Sequence, residues 1–219
     1  MTAEPPITVD VWSDIACPWC FIGNRTLKQA IEQYDGEVTV RYHSYELAPD
    51  TPVDYEGSEV DFLVKHKGLP PEQVQQMLDQ VTSTGAAAGA TFHFDTVQHT
   101  NTLRAHQALH HAAQHGRQTE LLERLFRAYF SEGRHIGRDA DLAELAAEVG
   151  LNSERLLADL AAERYATDVQ RDLNHAQQMG VRGVPFFVFE GQYGVSGAQS
   201  VETFTEVLAH VAAEVGTRA

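Results

Sequence analysis

The sequence predicts an α/β fold whose two ends form one sheet-containing unit and whose middle is a large all-helical insertion. Three observations point there: a strand–helix–strand pattern at the start, a long stretch of helical periodicity after it, and a return of strand character at Pro185. The opening pattern is a βαβ unit, which sets its two strands side by side and parallel.

Ile7 to Trp12 alternates, is rich in β-branched residues and ends at the polar pair Ser13-Asp14, so it reads as a strand entering a turn. After Cys17 the period changes: Leu27, Ala30, Ile31 and Tyr34 fall on one helical face, and Asp35-Gly36 closes the segment. Val38, Val40 and Tyr42 alternate with Thr39, Arg41 and His43 in a second strand. Pro49 to Gly57, with two prolines and several acids, reads as a linker.

Helical stripes then follow at Val74, Met77, Leu78 and Val81, more weakly at Ala105, Ala108, Leu109 and Ala112, and at Leu122, Leu125, Phe126 and Tyr129. Leu142, Leu145, Ala146 and Val149 make another, ended by Gly150, and a last long segment runs from about Glu163 to Met179 and stops at Gly180. Phe186 to Phe189 reads as a buried strand, Glu190-Gly191-Gln192 as a tight turn and Tyr193 to Ser196 as a short strand. A final helix carries Val201, Phe204, Leu208, Val211 and Val215 on one face, with Ser200 as its N-cap. The expected division is 1–50 with 181–219 for the sheet-containing unit and 51–180 for the helical insertion.

Composition excludes several classes. The chain has 219 residues with a net charge of −15, which repels phosphate backbones and anionic membrane surfaces. No nucleic acid or membrane partner is therefore expected. Met1 to Ile7 lacks a basic region followed by an apolar core, so a cytoplasmic location is expected.

The two cysteines stand three apart as Cys17-Pro18-Trp19-Cys20, at the predicted start of a helix. Unpaired backbone N–H groups and the positive end of the helix dipole favour a thiolate there. A second cysteine one turn later lies within reach to resolve a mixed disulfide. Cys17 is thus the expected nucleophile and Cys20 the resolving thiol, with Pro18 suited to the first helical turn. Zinc on the pair would need two further ligands, and the helix beginning there favours redox use, so no metal is expected. His106 with His110 and His111 with His115 have zinc-like spacing, but the two pairs point in different directions and read as solvated or core-satisfied histidines.

The strand ending in Cys-Pro-Trp-Cys, the helical insertion and Gly183-Val184-Pro185-Phe186-Phe187-Val188 together resemble the DsbA family of thioredoxin-fold proteins. Val11-Trp12-Ser13-Asp14, Cys-Pro-Trp-Cys-Phe-Ile-Gly, Asn101-Thr102 with Ala105-His106, and Ser196-Gly197-Ala198-Gln199 resemble its FrnE branch. That branch is named for a polyketide-biosynthesis protein and is related to 2-hydroxychromene-2-carboxylate isomerases and kappa-class glutathione transferases. The resemblance implies a thioredoxin-like fold with the helical insertion, and a cis Val184–Pro185 bond facing the cysteines, where the residues alone favour a trans proline opening a strand.

It also implies a thiol-disulfide oxidoreductase or disulfide isomerase, with Pro18, Trp19, Val184 and Pro185 meeting the substrate. The expected partners are client proteins or a small-molecule thiol. No tightly bound cofactor is expected; glutathione would serve as reductant or co-substrate. The alternative is a glutathione-dependent isomerase or transferase acting on a small aromatic or polyketide-type metabolite. Members of that kind usually carry serine where Cys17 stands, so the intact pair argues against it. A third reading is a holdase whose helical part binds clients. Thioredoxins carry a buried acid that takes a proton from the resolving thiol; Asp10 and Asp14 are the candidates here, with Asp14 nearer the motif. His106, in the family-like segment, is expected in proton transfer or in lining the cleft.

Overall fold

The computed structural model describes residues 6–216. Strand β1 (Ile7–Ser13), helix α1 (Pro18–Ile31) and strand β2 (Val38–Ser44) open the chain. Seven helices follow: α2 (Glu59–Lys67), α3 (Pro71–Ala87), α4 (Leu103–Gln114), α5 (Gln118–Phe130), α6 (Asp139–Glu148), α7 (Ser153–Ala161) and α8 (Ala166–Gln178). Strands β3 (Phe186–Phe189) and β4 (Tyr193–Ser196) and helix α9 (Val201–Gly216) complete it.

The sheet order is β2-β1-β3-β4. β1 runs parallel to β2 from Ile7 opposite Val38 to Ser13 opposite Ser44. β3 runs antiparallel to β1, with Trp12 opposite Phe186, and antiparallel to β4. Glu190 and Gly191 both adopt positive φ in the connecting turn, as hairpin turns demand.

β1 is interior to the sheet, and its alternation sends residues to two different cores. Ile7, Val9 and Val11 join Phe187, Phe189 and helices α1 and α9 in the main apolar cluster, which continues into α5 and α6. Phe21 of α1 stacks on Phe126 at 5.1 Å and meets Phe92 edge-on at 5.7 Å, tying the cysteine-bearing helix to the insertion. Its full burial is worth about 1.5–3 kcal/mol of hydrophobic free energy.

The opposite face carries Trp12 against Ala176 and Val181. Beside it His43 lies flat on the Trp12 ring at 4.4 Å. His43 Nε2–H donates to Asp10 at 2.8 Å and Nδ1–H donates to Asp172 at 3.0 Å. Asp172 also accepts from the Ser44 amide at 2.8 Å and pairs with His110 at 3.1 Å. This polar clamp joins β1 and β2 to α4 and α8.

The structure departs from the sequence expectations in a few places. The last insertion helix begins at Ala166 rather than near Glu163, because Glu163 takes a positive φ in the preceding turn. α2 and α7 lie outside the predicted stripes; α2 buries only one side chain, the charged Glu59, so no apolar period marks it. Met77 leaves its predicted stripe: Val74, Leu78 and Val81 are buried, while Met77 is 38% exposed at the mouth of the cavity described below.

Burial alone would lower the pKa of His43, but its hydrogen bonds to Asp10 and Asp172 outweigh that and raise it to about 9. A raised histidine contributes stability that is complete below its unfolded value near 6.5 and is lost as pH rises through 9. Allowing for its partial exposure, wild type should lose on the order of 2 kcal/mol across that window that a His43→Gln variant does not lose. Urea unfolding of both proteins at the two pH values measures the difference.

Candidate active site

β1 ends in a turn that delivers Cys17 as the N-cap of α1, with extended φ/ψ of −93° and 112° and Pro18 in the first turn. The Cys17 amide donates to the Asp14 carbonyl at 3.1 Å. From across the sheet β3 brings the Val184–Pro185 peptide bond, which is cis. The Cys17 thiol lies 3.6 Å from the Val184 carbonyl and donates to it. Gly23 makes this approach possible, since a Cβ there would stand 3.1 Å from both Pro185 Cγ and the Phe187 ring. The Gly197 amide donates to the Pro185 carbonyl at 2.8 Å, so the Ser196–Gln199 segment holds the proline from behind.

Cys17 and Cys20 are free thiols and both are buried, at 4% and 2% exposure. Burial pushes the Cys20 thiol well above the usual cysteine range, and its hydrogen bond with the Cys17 sulfur pushes it further. Hydrogen bonds from the Ser13 hydroxyl and the Asp14 backbone act the other way without reversing it. Cys20 therefore keeps its proton and presents an S–H to Cys17.

The two candidate acids separate cleanly. Asp10 lies on the other face of β1, held by His43. Asp14 is 2% exposed at the motif itself. One of its oxygens accepts from the Leu47 amide at 2.8 Å; the other accepts from the Ala16 amide at 3.3 Å and stands 3.5 Å from His106 Nε2. Burial would raise the Asp14 carboxyl, but the hydrogen bond and charge of His106, the Leu47 amide and the Thr102 hydroxyl outweigh it, and the group lies below the usual carboxylate range. A carboxylate held ionised by this many donors organises the loop; it is poorly suited to pick up a proton from Cys20. His106, 1% exposed, does not line the cleft as expected: it stands behind Asp14 and also reaches the Tyr45 carbonyl at 3.1 Å.

Beside Cys17 opens a cavity of about 200 Å³. Asp14, Cys17, Pro18 and Trp19 form one wall, and Phe62, Leu63, Met77, Leu78 and Val81 of α2 and α3 form the facing one. Of the two tryptophans, Trp12 is core and Trp19 is 38% exposed at the cavity. A buried pair closes the cavity at depth: His99 Nδ1–H donates to Glu59 at 2.9 Å, with the Tyr129 hydroxyl 3.2 Å from the same nitrogen and the Phe62 ring stacked at 3.4 Å. Sequence reading missed Glu59, Phe62 and His99, since they come from a non-periodic helix and a loop. Among the described residues no cluster of His, Cys, Asp or Glu is arranged to hold a metal, and no helix is long and apolar enough to cross a membrane.

A four-stranded sheet of this order, a helix opened by a Cys-x-x-Cys pair and a cis-proline opposite it define a thioredoxin-like dithiol protein. Residues 8–209 match the model of the DsbA-like thioredoxin domain, and the chain belongs to that family. The uncharacterized protein YwbO of Bacillus subtilis is 27% identical over 205 residues, covering 92% of this chain and 96% of that one. The crystal structure of a probable DsbA oxidoreductase from Streptomyces coelicolor is 38% identical with a TM-score of 0.85, over 94% of this chain and 89% of that one. A 2-hydroxychromene-2-carboxylate isomerase shares the fold at a TM-score of 0.73 and 16% identity, over 97% and 99% of the two chains. The family and the Streptomyces coelicolor relative support an oxidoreductase role.

An amide in place of the Asp14 carboxylate removes an acceptor from the buried Leu47 or Ala16 N–H, and a buried donor left unpaired is costly. Asp14→Asn should cost about 2 kcal/mol of stability by urea unfolding. Combined with His106→Gln, the double variant should lose at least about 1 kcal/mol less than the sum of the single losses.

Proposed function

We propose that this protein exchanges disulfides through Cys17 and Cys20. The observation that carries the reading is the placement of the Cys17 sulfur at the start of α1, 3.6 Å from the Val184 carbonyl, with the buried Cys20 thiol one turn behind. The Cys17 thiolate attacks one sulfur of a substrate disulfide; that S–S bond breaks, a mixed disulfide forms and one substrate thiolate leaves. Cys20 then loses its proton and attacks the Cys17 sulfur. A Cys17–Cys20 disulfide forms, the second substrate thiol leaves, and two electrons have passed to the substrate. The reverse sequence oxidises a dithiol.

In this scheme Val184 and Pro185 present backbone to the substrate beside the attacking sulfur, and Pro18 and Trp19 form the surface it meets. Asp14 and His106 hold the loop rather than move the proton. The proposed setting is the cytoplasm, where a low-molecular-weight thiol such as glutathione returns the oxidised pair to dithiol. The clients are disulfides of proteins or small molecules.

Cys20→Ser should accumulate a mixed disulfide on Cys17 when the reduced protein meets oxidised glutathione, seen by intact mass as a single adduct that persists until a reductant is added. Cys17→Ser should form adduct at least tenfold more slowly. Equal adduct rates in the two variants would remove the assignment of Cys17 as nucleophile.

A further inference from the structure

The walls of the Cys17 cavity say what kind of disulfide it takes. The cysteine is 4% exposed and lines this cavity, so a reacting sulfur approaches through it. Trp19 and Met77, each 38% exposed, and Leu47, 42% exposed, all line it, and these are among the few large apolar side chains the described surface leaves open. The two carboxylates in its wall are already engaged, Asp14 by His106 and Glu59 by His99. Lys67, His66, Thr100 and Thr102 complete the polar part of the lining, and what enters meets a surface that is mostly apolar.

Size narrows the occupant further. An apolar protein cavity of about 150 Å³ accommodates a benzene ring, whereas drug-sized ligands occupy roughly 300–1,000 Å³. At about 200 Å³ this one matches a single ring or a short branched alkyl group.

Resting on the dithiol reading above, we infer that the preferred substrate is a low-molecular-weight disulfide bearing an apolar, ring-sized substituent. That substituent occupies the space between Trp19 and the α2–α3 pair while Cys17 attacks its sulfur. The Cys17–S bond forms, the substrate S–S bond breaks, and the other half leaves as a thiolate. Cys20 then displaces the ring-bearing thiol, so the protein dithiol supplies both electrons. Each turnover leaves two small thiols and an oxidised protein.

Single-turnover mixing of the reduced full-length protein with 4,4′-dithiodipyridine and with 2-hydroxyethyl disulfide tests this. Each rate is divided by that of free glutathione with the same disulfide, which removes intrinsic reactivity. The expected result is a rate that saturates with the aromatic disulfide but rises linearly with the hydroxyethyl one. The normalised aromatic-to-hydroxyethyl ratio should fall at least tenfold in Leu63→Trp, which fills the cavity, and in Met77→Glu, which charges its exposed rim without touching the core. A linear aromatic rate with a normalised ratio near one would overturn the inference, as would an unchanged ratio in Met77→Glu or a larger normalised rate with the disulfides of insulin. A wild-type protein inert toward both small disulfides but active on those of insulin would overturn the inference alone, whereas one inert toward all three would remove the dithiol reading on which it rests.

Discussion

The active end of this molecule depends on one buried charge. Asp14 stands where β1 stops, and its oxygens draw in the Ala16 amide of the cysteine turn, the Leu47 amide beyond β2 and the His106 ring of α4. An ionised carboxylate without such partners would be untenable at 2% exposure. Satisfying it therefore forces three separate parts of the chain to meet at the base of Cys17. The same residue's carbonyl accepts from the Cys17 amide and shapes the helix start.

Around that junction the sheet acts as a partition. The Ile7, Val9 and Val11 side of β1 is apolar and packs on α1 and α9, while the Asp10 and Trp12 side is clamped to α4 and α8 through His43 and Asp172. The helical insertion is thus fastened from both directions. Phe21 holds it on the α1 side, and the imidazole–carboxylate clamp holds it on the other. This fixes α2 and α3 over Cys17 even though α2 buries almost nothing of its own. Glu59 and Phe62, gathered around His99, anchor that helix.

Much of the fold was readable because burial follows period. The Ile7–Trp12 alternation, the α5 stripe at Leu122, Leu125, Phe126 and Tyr129, and the Phe186–Ser196 hairpin each expose their pattern directly. The cysteine pair was equally plain, since its spacing is itself chemistry. What stayed hidden is buried polarity. Nothing local tells that Asp14 will be met by His106, or Glu59 by His99, because the partners come from distant parts of the chain and a charged side chain carries no periodic signature. Helix α2 was invisible for the same reason. Met77 shows the converse error, an apolar residue in register with a core stripe that the fold leaves at a cavity mouth.

The roles of Asp14, His106, α1 and the Val184–Pro185 edge converge on one claim: Cys17 and Cys20 form a reversible two-electron couple. The direct test is equilibration of the purified protein in graded reduced and oxidised glutathione buffers, followed by acid quench, thiol alkylation and mass counting. The account predicts one transition in which both thiols disappear together, with the singly glutathionylated form never dominant. Thiols that stay reduced across the series, or a stable adduct on Cys17 with Cys20 still free, would contradict it.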